Sequence, residues 1–204
     1  NSSSYESVQA LQDAEAYIDV FLPDLKTLDR DFAGRYFSAP DYPEAATKAI
    51  SAMLDMKELR YSPCRTALEA AQRGEPIDPE WPLILESGVV IRHLVLPDRL
   101  EDTKAVLRWF ADHAQGRALL SLMTQYTPIK SPKNRFADEL PNRYVDEHEY
   151  DIIQTWLEEF GIEDGFYQEL VPDDSWLPDF TRTNPFSSEL SVPIWHWKHG
   201  FIKL

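Results

Sequence analysis

Apolar positions along this chain change period several times, and the changes mark its elements. Asn1 to Tyr5 reads as a loop, residues 6–14 carry helical signals, and residues 17–22 are rich in β-branched and aromatic side chains, which predicts a strand. Pro23 is expected to end that strand, because proline has no N–H to give to a ladder. No period holds from 27 to 40, so a loop with at most a helical turn is expected there. Ala46, Ile50, Met53 and Leu54 then fall on one helical stripe behind start signals at Asp41 and Pro43. A short helix over 64–73 should stop at Gly74, and Pro76, Pro79 and Pro82 make the next stretch an extended connection.

Residues 88–96 form the strongest strand signal. They are apolar at both parities, as expected of a strand covered on both faces, and Pro97 closes them. Asp98 and Glu101 are spaced like a capping box, with Val106, Trp109, Phe110 and His113 on the apolar side of the following helix. Residues 118–124 predict a third strand. Asp146 and Glu149 predict a second capping box, with Ile153, Trp156, Leu157 and Phe160 turned inward and Gly161 at the end. His148 and Tyr144 are expected on solvated helix surface, and an irregular extension is expected from about residue 165.

Strands alternating with helices argue for an α/β fold with a parallel sheet of three to four strands and flanking helices. The whole chain, 1–204, is read as one domain. Three or four strands cannot close a barrel, so further strands are expected upstream.

Composition narrows the class of partner. The formal net charge is −15 without a visible basic cluster, which opposes nucleic acid and acidic lipid. No run of eighteen apolar residues is present, so no membrane span is expected, and the opening residues lack the marks of a signal peptide. With one cysteine, Cys64, an internal disulfide is excluded, and a cytoplasmic location is expected.

Ligands in parallel α/β folds gather at the carboxyl ends of strands, and three clusters sit there. In the Pro23-Asp24-Leu25-Lys26 turn, Asp24 and Lys26 share a face with Val20 and Leu22 if the extended geometry persists. They form either an exposed ion pair or a site for a cation or a zwitterion. Arg92 lies inside an apolar strand at the parity of Val90 and Leu94, and its charge must meet an acceptor: a ligand or a structural carboxylate. His93 points the other way and is expected to be a hydrogen-bonded core histidine. The third cluster, Thr124-Gln125-Tyr126-Thr127-Pro128, offers Gln125 and Tyr126 to orient a polar ligand. His196 and His199 flank Trp197 without a carboxylate or cysteine companion, so no metal is expected there. The chain has no GxGxxG, P-loop, GxSxG or HExxH motif.

Four segments together resemble the radical S-adenosylmethionine (SAM) family related to pyruvate formate-lyase activating enzyme. They are Asp19-Val-Phe-Leu-Pro-Asp-Leu-Lys26, Tyr36-Phe-Ser-Ala-Pro-Asp-Tyr42, Val90-Ile-Arg-His-Leu-Val-Leu-Pro97 and Ser121-Leu-Met-Thr-Gln-Tyr-Thr-Pro128. The resemblance runs from Asn1 to about Asp179 and is nearest to an uncharacterised branch grouped with the activating enzymes. It implies the C-terminal half of a partial (β/α)6, TIM-like barrel. In that family a CxxxCxxC loop holds a [4Fe–4S] cluster, SAM is cleaved reductively, and hydrogen is abstracted from a substrate, which for activating enzymes is a protein glycine. By resemblance Asn1 and Ser2 match positions near SAM and a bound monovalent cation. Asp24 matches a carboxylate of that cation site, while Lys26 and Arg92 match polar contacts to SAM or substrate, and Gln125 and Tyr126 are counted with them as cofactor-binding candidates. The chain departs from the pattern at five points. It has no cluster motif and no glycine-rich SAM segment, Ser4 and Asp98 stand where the family has glycine, and Thr127 stands where the activating enzymes have histidine.

The expectation is therefore the C-terminal part of a radical SAM iron–sulfur protein, inactive by itself. The alternative is a non-catalytic half-barrel that pairs with a separate N-terminal half or a partner protein. In either case the isolated chain is expected to dimerise, since an uncovered parallel edge invites association.

Overall fold

The structure, a computed structural model, describes residues 1–128 and 140–170, with Leu177, Trp195, His196, Gly200 and Phe201 besides. Among them four parallel strands lie in the order β1 (Val20–Phe21), β3 (Leu83–Leu94), β4 (Leu119–Met123) and β5 (Gly165–Tyr167). A fifth strand, β2 (Arg60–Pro63), runs antiparallel to the first half of β3. The chain is thus α/β with a parallel sheet and flanking helices. The side chains of His196 and His199 lie outside the described residues, as does most of the extension after residue 170.

The period of two persists far beyond the short hydrogen-bonded core of β1. Phe21, Pro23, Leu25 and Thr27 are buried, while Val20, Leu22, Asp24 and Lys26 are half-buried. Pro23 does not end the ladder. Its carbonyl accepts from Arg92 N–H at 2.8 Å and Leu25 N–H donates to Arg92 O at 2.9 Å, so pairing continues past the one donor that proline withholds from β3, while the backbone groups of Leu22 and Asp24 face the other edge. On that edge Ser2 pairs in parallel with Pro23, taking Leu22 O at 3.1 Å and accepting from Asp24 N–H at 2.9 Å. Tyr17, expected to open this strand, instead closes a 3-10 turn, Glu15–Tyr17, after helix α1 (Val8–Ala14).

One side of the sheet carries the core. Phe21, Leu25, Val89, Ile91, Val95, Leu120 and Leu122 pack against α3 (Tyr42–Met56), α5 (Leu100–His113) and α6 (Glu147–Glu159). The apolar stripe of α3 is the one its spacing predicts, with Ala46, Ile50, Met53 and Leu54 all buried. The α6 capping box forms as read, Asp146 accepting from Glu149 N–H. On α5 Val106 and Phe110 face inward as expected, joined by Thr103 and Leu107, and Trp109 is half-buried against the core. His113 is exposed and stacks on Trp109 with ring centroids 5.1 Å apart.

Three further differences have local causes. Asp98 does not cap α5. Its φ is 62° and its carboxylate meets Arg143 at 2.6 Å. The stretch 27–40, expected as a loop with at most a helical turn, holds that turn as α2 (Arg30–Phe32), capped by Asp29, but continues as a π-turn over Ala33–Phe37. Gly165 opens a strand instead of an irregular tail. A Cβ there would stand 2.3 Å from Leu120 O, so only glycine lets β5 approach β4. Helix α4 (Arg65–Arg73) closes on Gly74 as its spacing predicts.

Candidate functional site

Alternation puts a second set of residues on the sheet face away from the helices. Lys26 and Asp24 from the β1 extension, Arg92 and Leu94 from β3, Leu96 just beyond it, and Ser121 and Met123 from β4 are all half-buried there. Asp24 and Arg92 are bridge partners, so their side chains leave neighbouring strands side by side. The carboxylate lies between two cations, with Arg92 Nη2 2.6 Å from Oδ1 and Lys26 Nζ 2.6 Å from Oδ2. Asn1 Oδ1 accepts a short hydrogen bond from the same guanidinium nitrogen. Thus Asn1, Ser2, Asp24, Lys26 and Arg92, scattered over 92 positions, meet at the carboxyl end of β1 and β3. The contact with Asp24 is an ion pair without hydrogen-bond alignment at Oδ1, and Arg92 Nε is buried with no hydrogen-bond partner among the described residues.

The turn carrying Asp24 and Lys26 is pinned from beneath by Tyr42, which is 3 % exposed. Its hydroxyl donates to Asp24 O at 2.8 Å and accepts from Lys26 N–H at 3.1 Å. Burial pushes this phenol far above its ordinary pKa, so it stays protonated and keeps both bonds. Tyr42 escaped the sequence reading as a site residue because it sits on the apolar stripe of α3, where an aromatic ring reads as core.

His93 faces the core as expected, 2 % exposed. Its Nδ1–H donates to Leu25 O at 2.8 Å, which leaves Nε2 to accept from the Thr103 hydroxyl at 3.0 Å. Burial lowers its pKa, against smaller opposing effects of the Leu25 carbonyl and Asp102. The imidazole therefore serves as a neutral clamp beneath the site.

Gln125 and Tyr126 lie further along, past the end of β4. Gln125 Oε1 accepts from Gln168, and Tyr126 donates to Pro141 O at 2.9 Å. Neither has a bond to the Arg92 cluster among the described residues.

A cavity of about 350 Å³ opens over the cluster, lined by Asp24, Lys26 and Arg92 and by Leu94, Leu96, Met123, Phe32, Tyr36, Phe37 and Leu140. A more open groove of about 550 Å³ runs beside Asp29, Asp98, Asp102 and Glu149, but those carboxylates are engaged. Asp29 pairs with Arg99, Asp102 bonds Thr27 and Leu28, and Asp98 and Glu149 both bind Arg143. Burial alone would raise the Glu149 carboxyl. Hydrogen bonds from Arg143 and from the N–H groups of Asp98 and Asp146 outweigh it and hold the group below its usual value.

Among the described residues no three His, Cys, Asp or Glu side chains converge as a metal site. Cys64, just before α4, is the sole cysteine of the chain, so these residues do not fit a [4Fe–4S] cluster. None of the described helices is long and apolar enough to cross a membrane. No family model, no curated protein and no solved structure matches the chain.

Proposed function

We propose that this chain is the C-terminal part of a radical SAM iron–sulfur protein resembling pyruvate formate-lyase activating enzyme, and that it supplies one polar wall of the SAM pocket. The convergence of Asn1, Ser2, Asp24, Lys26 and Arg92 carries this reading, because segments that resemble the family separately meet at one end of one sheet. The ammonium, guanidinium and carboxylate grouped there suit a zwitterion such as the methionyl end of SAM. Two details support the same register. Ser4 and Asp98, which stand where the family has glycine, have φ of 62° each, in the left-handed region that favours glycine. Helices on one side of the sheet, with a half-exposed opposite face, suit a segment of a barrel wall. The cluster cysteines belong, in this proposal, to chain other than these 204 residues, and no chemical step through the cluster is assigned to the residues here.

The test is made on the native product, purified without oxygen from its source cells. An iron–sulfur signal on reduction and release of 5′-deoxyadenosine from added SAM are expected. Arg92→Ala in that protein should keep the iron and weaken SAM binding by about tenfold or more. A native product with no iron and no turnover of SAM overturns the reading.

A further inference from the structure

We infer that the cavity above the Asp24–Lys26–Arg92 cluster takes a small ligand whose body is a compact aromatic or branched-alkyl group. The inference rests on the reading above for the polar end of the site and on the cavity itself for the rest.

The inner sheet face changes character along the strands. Its Arg92 layer is polar, with Asp24 on one side and Ser121 in register on the other. The next layer toward the strand ends is Leu94, with Met123 in register beside it, and Leu96 follows. These three side chains are half-buried and line open space rather than the core. Ordinary solvent-facing positions at strand ends carry polar side chains, because exposed apolar surface is unfavourable. Here the outermost layer is apolar on β3 and β4, and the one charge beside it, Lys26, turns back to Asp24.

The opposite wall is aromatic and fixed in place. Phe32, Tyr36 and Phe37 come from α2 and the π-turn, a geometry that recurs at functional sites. Asp29 caps this segment through the N–H groups of Asp31 and Phe32, and Arg99 binds Asp29 at 2.7 Å while lying 4.4 Å over the Phe32 ring. Phe32 and Tyr36 sit 4.4 Å apart, and Phe37 meets Tyr42 edge-on at 5.5 Å. The wall is therefore held from outside the cavity and needs no ligand to form. At about 350 Å³ the space lies near the lower end of small-molecule sites, room for a ring or a short branched chain with a polar head. A run of several peptide residues exceeds it. Two apolar walls over a charged floor select for such a shape: the floor orients one end and the walls reward desolvation of the other.

The chain has three methionines, at 53, 56 and 123, which makes the test direct. With 13C-methyl-methionine labelling, indole is titrated as the apolar probe and glycylglycinamide as the peptide-like comparator. Indole should shift the Met123 methyl saturably, with an intermolecular NOE to it, and leave the fully buried Met53 unmoved. Leu96→Asp, at the half-exposed rim, should weaken indole by about tenfold or more, while Leu96→Met keeps it. Absence of a saturable Met123 shift, absence of the NOE, or an equal shift from glycylglycinamide overturns the inference. The two proposals fail separately. Indole binding in a protein that does not cleave SAM leaves the apolar site standing and retires the radical SAM reading. SAM cleavage without indole binding does the reverse.

Discussion

Ser4 shows how a single residue stores strain close to Ser2, whose hydroxyl accepts its N–H at 2.8 Å. It is fully buried with φ 62°, and its hydroxyl has no hydrogen-bond partner among the described residues. A left-handed L-residue costs about 1–2 kcal/mol, and glycine's greater freedom in the unfolded chain returns about 0.5–1 of that. Removing a buried, unsatisfied hydroxyl adds about 1 kcal/mol or more. Ser4→Gly is therefore expected to stabilise the fold by about 1–2 kcal/mol in urea denaturation, and an unchanged or lower midpoint would count against the strain. Asp98 shares the backbone geometry but not the outcome, because its carboxylate holds Arg143 and its N–H holds Glu149. Neither positive φ was legible in the sequence by its pattern, since serine and aspartate mark no backbone conformation by themselves.

Elements were legible where one period ran unbroken. The α3 stripe and the α6 capping box are as their spacing predicts, and so is the parity that puts Asp24, Lys26 and Arg92 on one face and His93 on the other. Strand β2 was missed because Arg60-Tyr-Ser-Pro63 has no apolar alternation, and its partner residues 83–87 looked like part of a proline-rich connection. The helical turn allowed for within 27–40 is present, but its continuation over 33–37 was not legible because a π-turn has no hydrophobic signature of its own. His93 ties three elements together, joining β3 to the β1 extension and α5 through Leu25 O and Thr103. Its pKa is lowered in the fold, so below about pH 6.5 the unfolded chain binds a proton that the native state refuses. Stability is then complete above that pH and falls as pH drops, by at most about 1.4 kcal/mol per unit. Asp29 and Glu149, whose pKa values are also lowered, act in the same direction but only in the lower, carboxylate range. Denaturation curves between pH 7.5 and 5.5 should show the loss, and His93→Gln should flatten it. A wild-type curve already flat across that window is the contrary result.

At the scale of the molecule, α3, α5 and α6 all cover the same side of the sheet. The outer edge of β1 is paired through Ser2 alone among the described residues, so Val20 and Phe21 offer an open parallel edge. Sedimentation velocity on the isolated 204-residue chain should show mass rising with concentration, and a single monomer boundary throughout would argue that the edge is protected. The alternation along the strands also sets how the protein tolerates change. At Phe21, Leu25, Ile91, His93, Val95, Leu120 and Leu122 a substitution is felt by the helices, and at the intervening positions by whatever occupies the other face. A saturation library sorted once for cellular abundance and once for ligand capture should thus give two maps that beat every second residue. Along β1, β3 and β4 they run in opposite phase, so that the tally of tolerated variants traces the inner outline of the cavity without a crystal.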